Sequence, residues 1–181
     1  MSLQVVLLAE PEIPVPPEHY GGIERMVHML AEELGRHGHT VTLFAHPQSR
    51  PPCTLVGWRG ASSFSRRDTL RNMAQLATWF AAQPSRLTVI HSFANLAYML
   101  PLIPLRVPKI QSYQRAIGRL GVRAAHLASR GSVTFTACSR DCAATGNGSG
   151  RWRVIYNGVP PDRYTFRDEV APDAPLMFLG R

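Results

Sequence analysis

A pair of glycines stands where a strand-like pattern gives way to a helix-like one. Gly21 and Gly22 follow Tyr20 and open an amphipathic segment. Glycines let the backbone approach a ligand closely, and the free amide groups of a first helical turn favour an anion such as phosphate. The pattern is neither G-x-G-x-x-G nor a P-loop. A tight turn also needs glycines without any ligand, so a phosphate site and a purely structural turn are both open interpretations.

Polar residues also follow two predicted strands further along the chain. His91 ends one of them, and Tyr113-Gln114-Arg115 ends another. Ligands of open α/β sheets bind at the carboxyl ends of the strands. Arg115 is therefore a candidate contact for a ligand such as a phosphate, with a solvated loop arginine as the alternative.

Two pairs of acids and three cysteines carry weaker signals. Glu10-x-Glu12 and Glu32-Glu33 lack the opposed placement of two glycosidase carboxylates, and surface or loop positions are expected for them. Cys138 and Cys142 are four residues apart, but no second ligand pair stands at metal spacing. No metal and no other cofactor is expected, and the thiols are predicted to be free.

Strand and helix patterns alternate along the chain, which predicts an α/β fold. Buried strands are predicted over 3–9, 40–45, 54–57, 87–91, 109–113, 133–138 and 152–156. Helices are predicted over 21–37, from an Asp68 cap to 83, over 94–100 with an end at Pro101, and over 119–130. The expected architecture is a Rossmann-like, doubly wound sheet of about six or seven mostly parallel strands.

Composition limits the classes of function. The 181 residues, of which 45% are hydrophobic, suffice for one core, and the formal charge of +8 arises from nineteen arginines and one lysine. This charge favours anionic partners, but the arginines form no dense run and no nucleic-acid-binding motif is present, so no nucleic-acid partner is expected. Without a signal peptide or a spanning segment, a cytoplasmic protein is expected. The basic surface permits, without requiring, a peripheral position on an anionic membrane.

Several modest motifs occur in an order that resembles family 4 glycosyltransferases of the GT-B architecture. The first is the proline-rich loop that runs into Gly21-Gly22-x-Glu24. The others are His37-Gly38-His39-x-Val41, Val89-Ile90-His91-Ser92, Thr136-Ala137-Cys138-Ser139, Val154-Ile155-Tyr156-Asn157-Gly158-Val159 and Phe178-Leu179-Gly180-Arg181. The series covers nearly the whole chain. The resemblance implies a retaining enzyme that transfers a sugar from a nucleoside-diphosphate sugar to an acceptor held by the N-terminal domain.

The resemblance also implies roles for residues. Gly21, Gly22 and Arg181 match the family positions that contact the donor diphosphate. On the acceptor side we expect Tyr20, Glu24 and Arg115, with a helix-start role as the alternative for Glu24. His91 is the candidate catalytic residue or substrate contact, with a buried histidine whose hydrogen bonds are satisfied as the alternative. The family often shows His-x-His at this strand end, whereas this chain has His91-Ser92-Phe93, which places Phe93 at the position nearer the reacting sugar.

The resemblance predicts a division of the chain into three parts. Residues 1–160 would form the acceptor-side domain, 161–175 a linker, and 176–181 the first strand of a C-terminal donor-binding domain. The two-glutamate donor signature of that domain is absent, so the 181 residues alone are expected to be inactive. The competing hypothesis is a non-catalytic α/β module that binds an anionic ligand at Gly21-Gly22.

Overall fold

A single parallel sheet forms the centre of the computed structural model, which describes residues 2–83, 88–146, 149–163, 165, 168–170 and 172–176. Its strands are β1 (Gln4–Leu8), β2 (Thr40–Ala45), β3 (Thr54–Gly57), β4 (Thr88–Ser92), β5 (Lys109–Tyr113), β6 (Val133–Ala137) and β7 (Arg151–Val154). The spatial order is β3-β2-β1-β4-β5-β6-β7, with every pairing parallel. The doubly wound, Rossmann-like prediction is confirmed.

Helices connect these strands, and several predicted boundaries were wrong. The α-helices are α1 (Gly22–Arg36), α2 (Arg66–Ala81), α3 (Arg119–Ala128) and α4 (Arg140–Thr145), and a 3-10 helix spans Leu96–Leu102. The cap of α2 is Ser65, whose hydroxyl accepts from the Asp68 amide at 3.3 Å, and not Asp68 itself. Pro101 lies inside the 3-10 helix instead of ending it. The short helix α4, capped by Ser139, was not predicted.

Two hydrophobic clusters cover the two faces of the sheet. On one face, Val5, Leu7, Val41 and Leu43 pack against Val27 and Ala31 of α1. On the other face, Val6, Leu8, Phe44, Ile90 and Phe135 pack against α2, the 3-10 helix and α3 through Leu76, Tyr98, Leu102, Val122 and Ala125. Alternate residues of β1 serve opposite faces because side chains alternate across a strand. Burial on both faces explains the continuous apolar runs in the sequence.

The loop from β1 to α1 is held against the sheet by hydrogen bonds. Trp58 donates its indole N–H to the Ala9 carbonyl at 2.8 Å, and the Val15 amide donates to the Ser49 hydroxyl at 2.9 Å. Arg25 of α1 reaches back to the His19 carbonyl at 2.6 Å. These contacts place the loop over the carboxyl edge of the sheet.

The end of the chain is described only in part. The described residues among 168–176 are exposed, and residues 177–181 lie outside the described part of the chain. The predicted linker at 161–175 and the predicted strand at 176–181 therefore stay predictions.

Candidate functional site

The order of the strands creates a crevice at one edge of the sheet. From β1 the chain moves to β2 and β3 on one side, whereas β4 to β7 lie on the other. Such a reversal opens a gap beyond the carboxyl ends of the two central strands, where α/β proteins bind ligands. A cleft of about 390 Å³ lies there, lined by residues that follow β1, β4 and β5. A second cleft of about 500 Å³ shares Glu10, Ile23, Ser63, Phe64, Gln114 and Arg115 with it.

The two glycines at the start of α1 have different surroundings. Gly21 has φ 150, and a Cβ placed there would lie 2.7 Å from the Pro17 Cβ and 2.8 Å from Glu24 Oε2. This position therefore requires glycine for the turn itself. A Cβ on Gly22 would meet nothing within 4 Å, and Gly22 lines the second cleft. Of the pair, only Gly22 offers an open backbone at a helix start that faces a cleft.

Glu10 lies two residues after β1 and lines both clefts. Burial raises the pKa of its carboxyl from 4.5 to about 7, and Glu12 adds to the rise, while Arg115 and a hydrogen bond from the Asn95 backbone amide oppose it. Its Oε2 is buried and accepts no hydrogen bond from any residue that the structure describes. A carboxyl in this state is only partly ionised at neutral pH. The expected loop position is correct for Glu10, and its side chain is half-buried.

Gln111, in β5, also lines the first cleft and has a buried side-chain oxygen. The residue is 1% exposed, and its Nε2 donates to the Ala94 carbonyl at 2.9 Å. That bond fixes the amide orientation, because a flipped amide would place Oε1 against the same carbonyl oxygen. Gln111 Oε1 finds no donor among the described residues. Two residues that line the first cleft, Glu10 and Gln111, thus each have a buried side-chain oxygen without a donor among the described residues.

The residues predicted on the acceptor side all line the second cleft. Tyr20 is 67% exposed, Arg115 is exposed, and Glu24 is 5% exposed. Burial raises the pKa of Glu24, and a hydrogen bond to its own backbone amide opposes this. Gln114 extends the wall, because its Oε1 accepts from Asn157 Nδ2 at 2.8 Å. The structure brings the three predicted residues together, and their contact with an acceptor stays a prediction.

His91 lies below the cleft instead of facing it. Its ring stacks on Phe93, with ring centres 4.4 Å apart, and Nε2 is 2.7 Å from the Ser112 hydroxyl, which is in turn 2.5 Å from Thr136 Oγ1. Burial lowers the pKa of His91 from 6.5 to about 4, so the ring is neutral at physiological pH. Phe93 and Ser112 line the first cleft and His91 reaches it only through them. A catalytic role for His91 stays a prediction.

The remaining predictions concern Arg181, metal binding, the cysteines and the membrane. Arg181 lies outside the described residues. Within the described part of the chain, no group of three or more His, Cys, Asp or Glu residues is placed to hold a metal ion, and the three cysteines are free. Among the described helices, none has the length and apolar character to cross a membrane.

Glu10 and Gln111 are the site residues that sequence reasoning missed. The sequence pattern places both residues near a strand end, since Glu10 follows β1 and Gln111 lies near the end of β5. Their burial could not be predicted from the same pattern, because the residues that cover them belong to neighbouring strands that are distant in sequence.

Comparison with known proteins gives the family and the fold of the chain. The model of Glycosyltransferase Family 4 matches residues 20–163. The solved structure of AviGT4, a glycosyltransferase involved in avilamycin A biosynthesis, is 25% identical with a TM-score of 0.59, and the match covers 90% of this chain and 44% of that one. A glycosyltransferase from Rickettsia africae ESF-5 has a TM-score of 0.63 at 14% identity, covering 89% and 44% of the two chains, and supports the fold alone. No curated protein sequence matches the chain. The chain spans less than half the length of these solved relatives.

Proposed function

This chain belongs to glycosyltransferase family 4, and from that membership we propose that it is the acceptor-side domain of a retaining transferase that uses a nucleoside-diphosphate sugar. In this reaction the bond between the sugar C1 and the phosphate oxygen breaks, and C1 forms a bond to the acceptor oxygen. The nucleoside diphosphate leaves with the bonding electron pair, and the acceptor hydroxyl gives up its proton to that departing diphosphate.

The open Gly22 position carries this proposal. It lies at the start of a fifteen-residue helix, beside the cleft at the switch point of the sheet. The positive end of the helix dipole favours the growing negative charge of a departing diphosphate. A side chain at Gly22 would stand between that diphosphate and the backbone. Gly21 supports the site indirectly by allowing the turn, and Arg181 adds a cation to the proposal on the strength of the resemblance alone.

The remaining half of the site is proposed to come from a second domain. The solved relatives are more than twice as long as the part that this chain matches. The donor sugar and its nucleoside would be held by that domain, and the two clefts of this chain would hold the acceptor. The 181 residues by themselves are then expected to bind donor weakly and to turn nothing over.

Calorimetric titration of this chain and of the full-length protein with nucleoside diphosphates and their sugars tests the proposal. We expect tight donor binding and sugar transfer only for the full-length protein, with the anomeric configuration retained in the product. Transfer that persists in excess EDTA would agree with a mechanism that needs no metal. Equal nucleotide binding by both proteins, with no transfer, would instead favour a non-catalytic module that binds anions at Gly21-Gly22.

A further inference from the structure

We infer that the outer surface of α3 and of the neighbouring 3-10 helix docks on an anionic lipid bilayer, with exposed leucines entering the interface and arginines contacting the headgroup phosphates. This inference goes beyond the proposed transferase function and does not depend on it. Three observations carry it: the distribution of charge along the chain, the pattern of exposed side chains on α3, and an apolar groove beside that helix.

Charge is distributed unevenly along the chain. Residues 69–140 contain nine arginines or lysines and no aspartate or glutamate, whereas the rest of the chain has eleven basic and twelve acidic residues. The positive net charge therefore comes from this segment alone. The segment includes most of α2, the 3-10 helix and all of α3, which together cover one face of the sheet. That face is basic, and an anionic partner suits it.

The exposed side of α3 has leucines and arginines in adjacent rows. Leu120 and Leu127 are seven residues apart, which places them on one side of the helix, and they are 85% and 69% exposed. Arg119 and Arg123 are also exposed and lie one turn apart beside them. The buried residues of α3 point the other way, into the core. A helix that lies in a membrane interface has this combination of apolar and basic rows.

An apolar groove of about 410 Å³ extends from the leucine row toward the 3-10 helix. Ala124 lines the groove and is one turn from both Leu120 and Leu127, so the groove and the leucine row form one continuous surface. Leu100 and Leu105, on the side of the 3-10 helix, are 49% and 42% exposed. The other lining residues are almost all apolar, among them Leu96, Ile103, Pro104 and Ala128.

The arginines around this apolar surface are available to an external anion. Arg106 follows Leu105 and is exposed, as are Arg119, Arg123 and Arg130. Among the described residues, no carboxylate forms a salt bridge with any of these four. A guanidinium can bind a phosphate with two parallel hydrogen bonds while its aliphatic stem lies along apolar surface. Apolar side chains surrounded by such cations fit the boundary between acyl chains and anionic headgroups.

The same observations disfavour two other occupants. A second copy of the chain would bring one basic face against another, and the repulsion of like charges would oppose this contact. A folded acidic protein would need a surface complementary to the two leucines that project from α3. Lipid headgroups rearrange around projecting side chains, so a bilayer needs no matching shape.

Co-sedimentation of the full-length protein with vesicles tests the inference. The probes are vesicles of phosphatidylcholine mixed with phosphatidylglycerol, and vesicles of phosphatidylcholine alone are the comparison. We expect at least about tenfold tighter binding to the anionic vesicles, and binding that weakens as salt is added. Leu120→Gln/Leu127→Gln and Arg119→Gln/Arg123→Gln should each weaken binding by about tenfold or more. All four side chains are exposed, so Tm should change little in either variant.

Arg36→Gln/Arg50→Gln is the matched control, because it removes two exposed arginines outside residues 69–140. Its binding should stay within about twofold of the wild type, since salt screens charges that lie away from the contact. Leu127→Trp supplies a direct reporter of insertion. Compared with the wild type, this variant should show additional tryptophan quenching by vesicles whose acyl chains are brominated.

Four results would each overturn the inference: no binding to anionic vesicles, equal binding to neutral vesicles, an equal loss in Arg36→Gln/Arg50→Gln, or no additional quenching in Leu127→Trp. Retention on immobilised poly-glutamate that is lost in Leu120→Gln/Leu127→Gln, without binding to vesicles, would assign the surface to an acidic protein instead.

Discussion

The buried carboxyl of Glu10 makes a quantitative prediction about stability. Its pKa is raised from 4.5 to about 7, so the folded protein binds more protons than the unfolded chain between these two pH values. The contribution of Glu10 to stability is therefore fully present below pH 4.5 and is lost as the pH rises through 7. One pKa unit corresponds to about 1.4 kcal/mol, so ionised Glu10 destabilises the fold by up to about 3 kcal/mol at pH 8.

Glu10→Gln removes this ionisation without changing the shape of the side chain. We expect the free energy of unfolding at pH 8 to rise by about 2 to 3 kcal/mol, or about 5 to 10 °C in Tm for a chain of this size, and to change little at pH 4.5. Urea unfolding followed by tryptophan fluorescence at several pH values measures the difference between the two proteins. The titration of His91 affects both proteins equally and cancels in that difference.

Glu18→Gln is the control for the removal of a charge as such. Glu18 lies in the same loop but is exposed, so its replacement should change stability by less than about 0.5 kcal/mol at either pH. If Glu10→Gln gave the same difference at pH 4.5 as at pH 8, or lowered stability at pH 8, the assignment of a buried, partly protonated carboxyl would be wrong. The expected gain would mean that the chain retains Glu10 at a cost to stability, which is common for residues in binding sites.

Three further changes test the neighbouring parts of the structure. In the full-length protein, Gly22→Val should reduce donor-dependent turnover at least about a hundredfold with little change in Tm, and unchanged turnover would refute the donor assignment. Gly21→Ala should instead lower stability by about 1 to 3 kcal/mol, because Gly21 has φ 150 and lies close to Pro17. His91→Ala should lower stability by about 2 kcal/mol and leave turnover nearly intact, and a large loss of rate at normal Tm would instead show substrate contact. Lys109→Met should cost at least about 2 kcal/mol in urea unfolding, because the buried ammonium donates to the Leu105 and Val107 carbonyls, and a loss below about 0.5 kcal/mol would contradict this.

The strands and their order of occurrence could be predicted because buried parallel strands leave continuous apolar runs in the sequence. The boundaries of β2, β3 and β5 are as predicted, and those of β1, β6 and β7 differ by one or two residues. Strand β4 ends one residue later than predicted, and its predicted start at residue 87 lies outside the described residues. The cap of α2 was also readable in principle, since Ser65 precedes Asp68 by three residues in the manner of a capping box. The prediction of Asp68 as the cap is wrong because the Ser65 hydroxyl is the group that accepts the hydrogen bond at the start of the helix. The six-residue helix α4 is too short to show a helical period.

The candidate site was only partly predictable. The glycine pair and Arg115 could be placed at the carboxyl edge from the sequence, because each follows a predicted strand or opens a predicted helix. The difference between strained Gly21 and open Gly22 depends on the position of Pro17 and Glu24 in space. Glu10 and Gln111 each have a buried side-chain oxygen without a donor among the described residues. Their surroundings depend on three neighbouring strands that begin far apart in the sequence, at residues 4, 88 and 109. Periodicity in one segment contains no information about such neighbours.

The environment of His91 follows from the handedness of the fold. Crossovers between parallel strands are right-handed. The connection from β1 to β2 runs in one direction across the sheet, and the connections from β4 onward run in the opposite direction. The two sets of connections must therefore lie on opposite faces of the sheet. In the described part of the chain, α1 packs on one face, while α2, the 3-10 helix and α3 pack on the other. His91 shares the α1 face with Leu7, its partner in β1, and its Ser112 and Thr136 contacts extend across β5 and β6 on that face. A chain of hydrogen bonds therefore links β4, β5 and β6 on this face. This arrangement explains why a polar residue occupies a central strand, and it requires no direct contact between His91 and substrate.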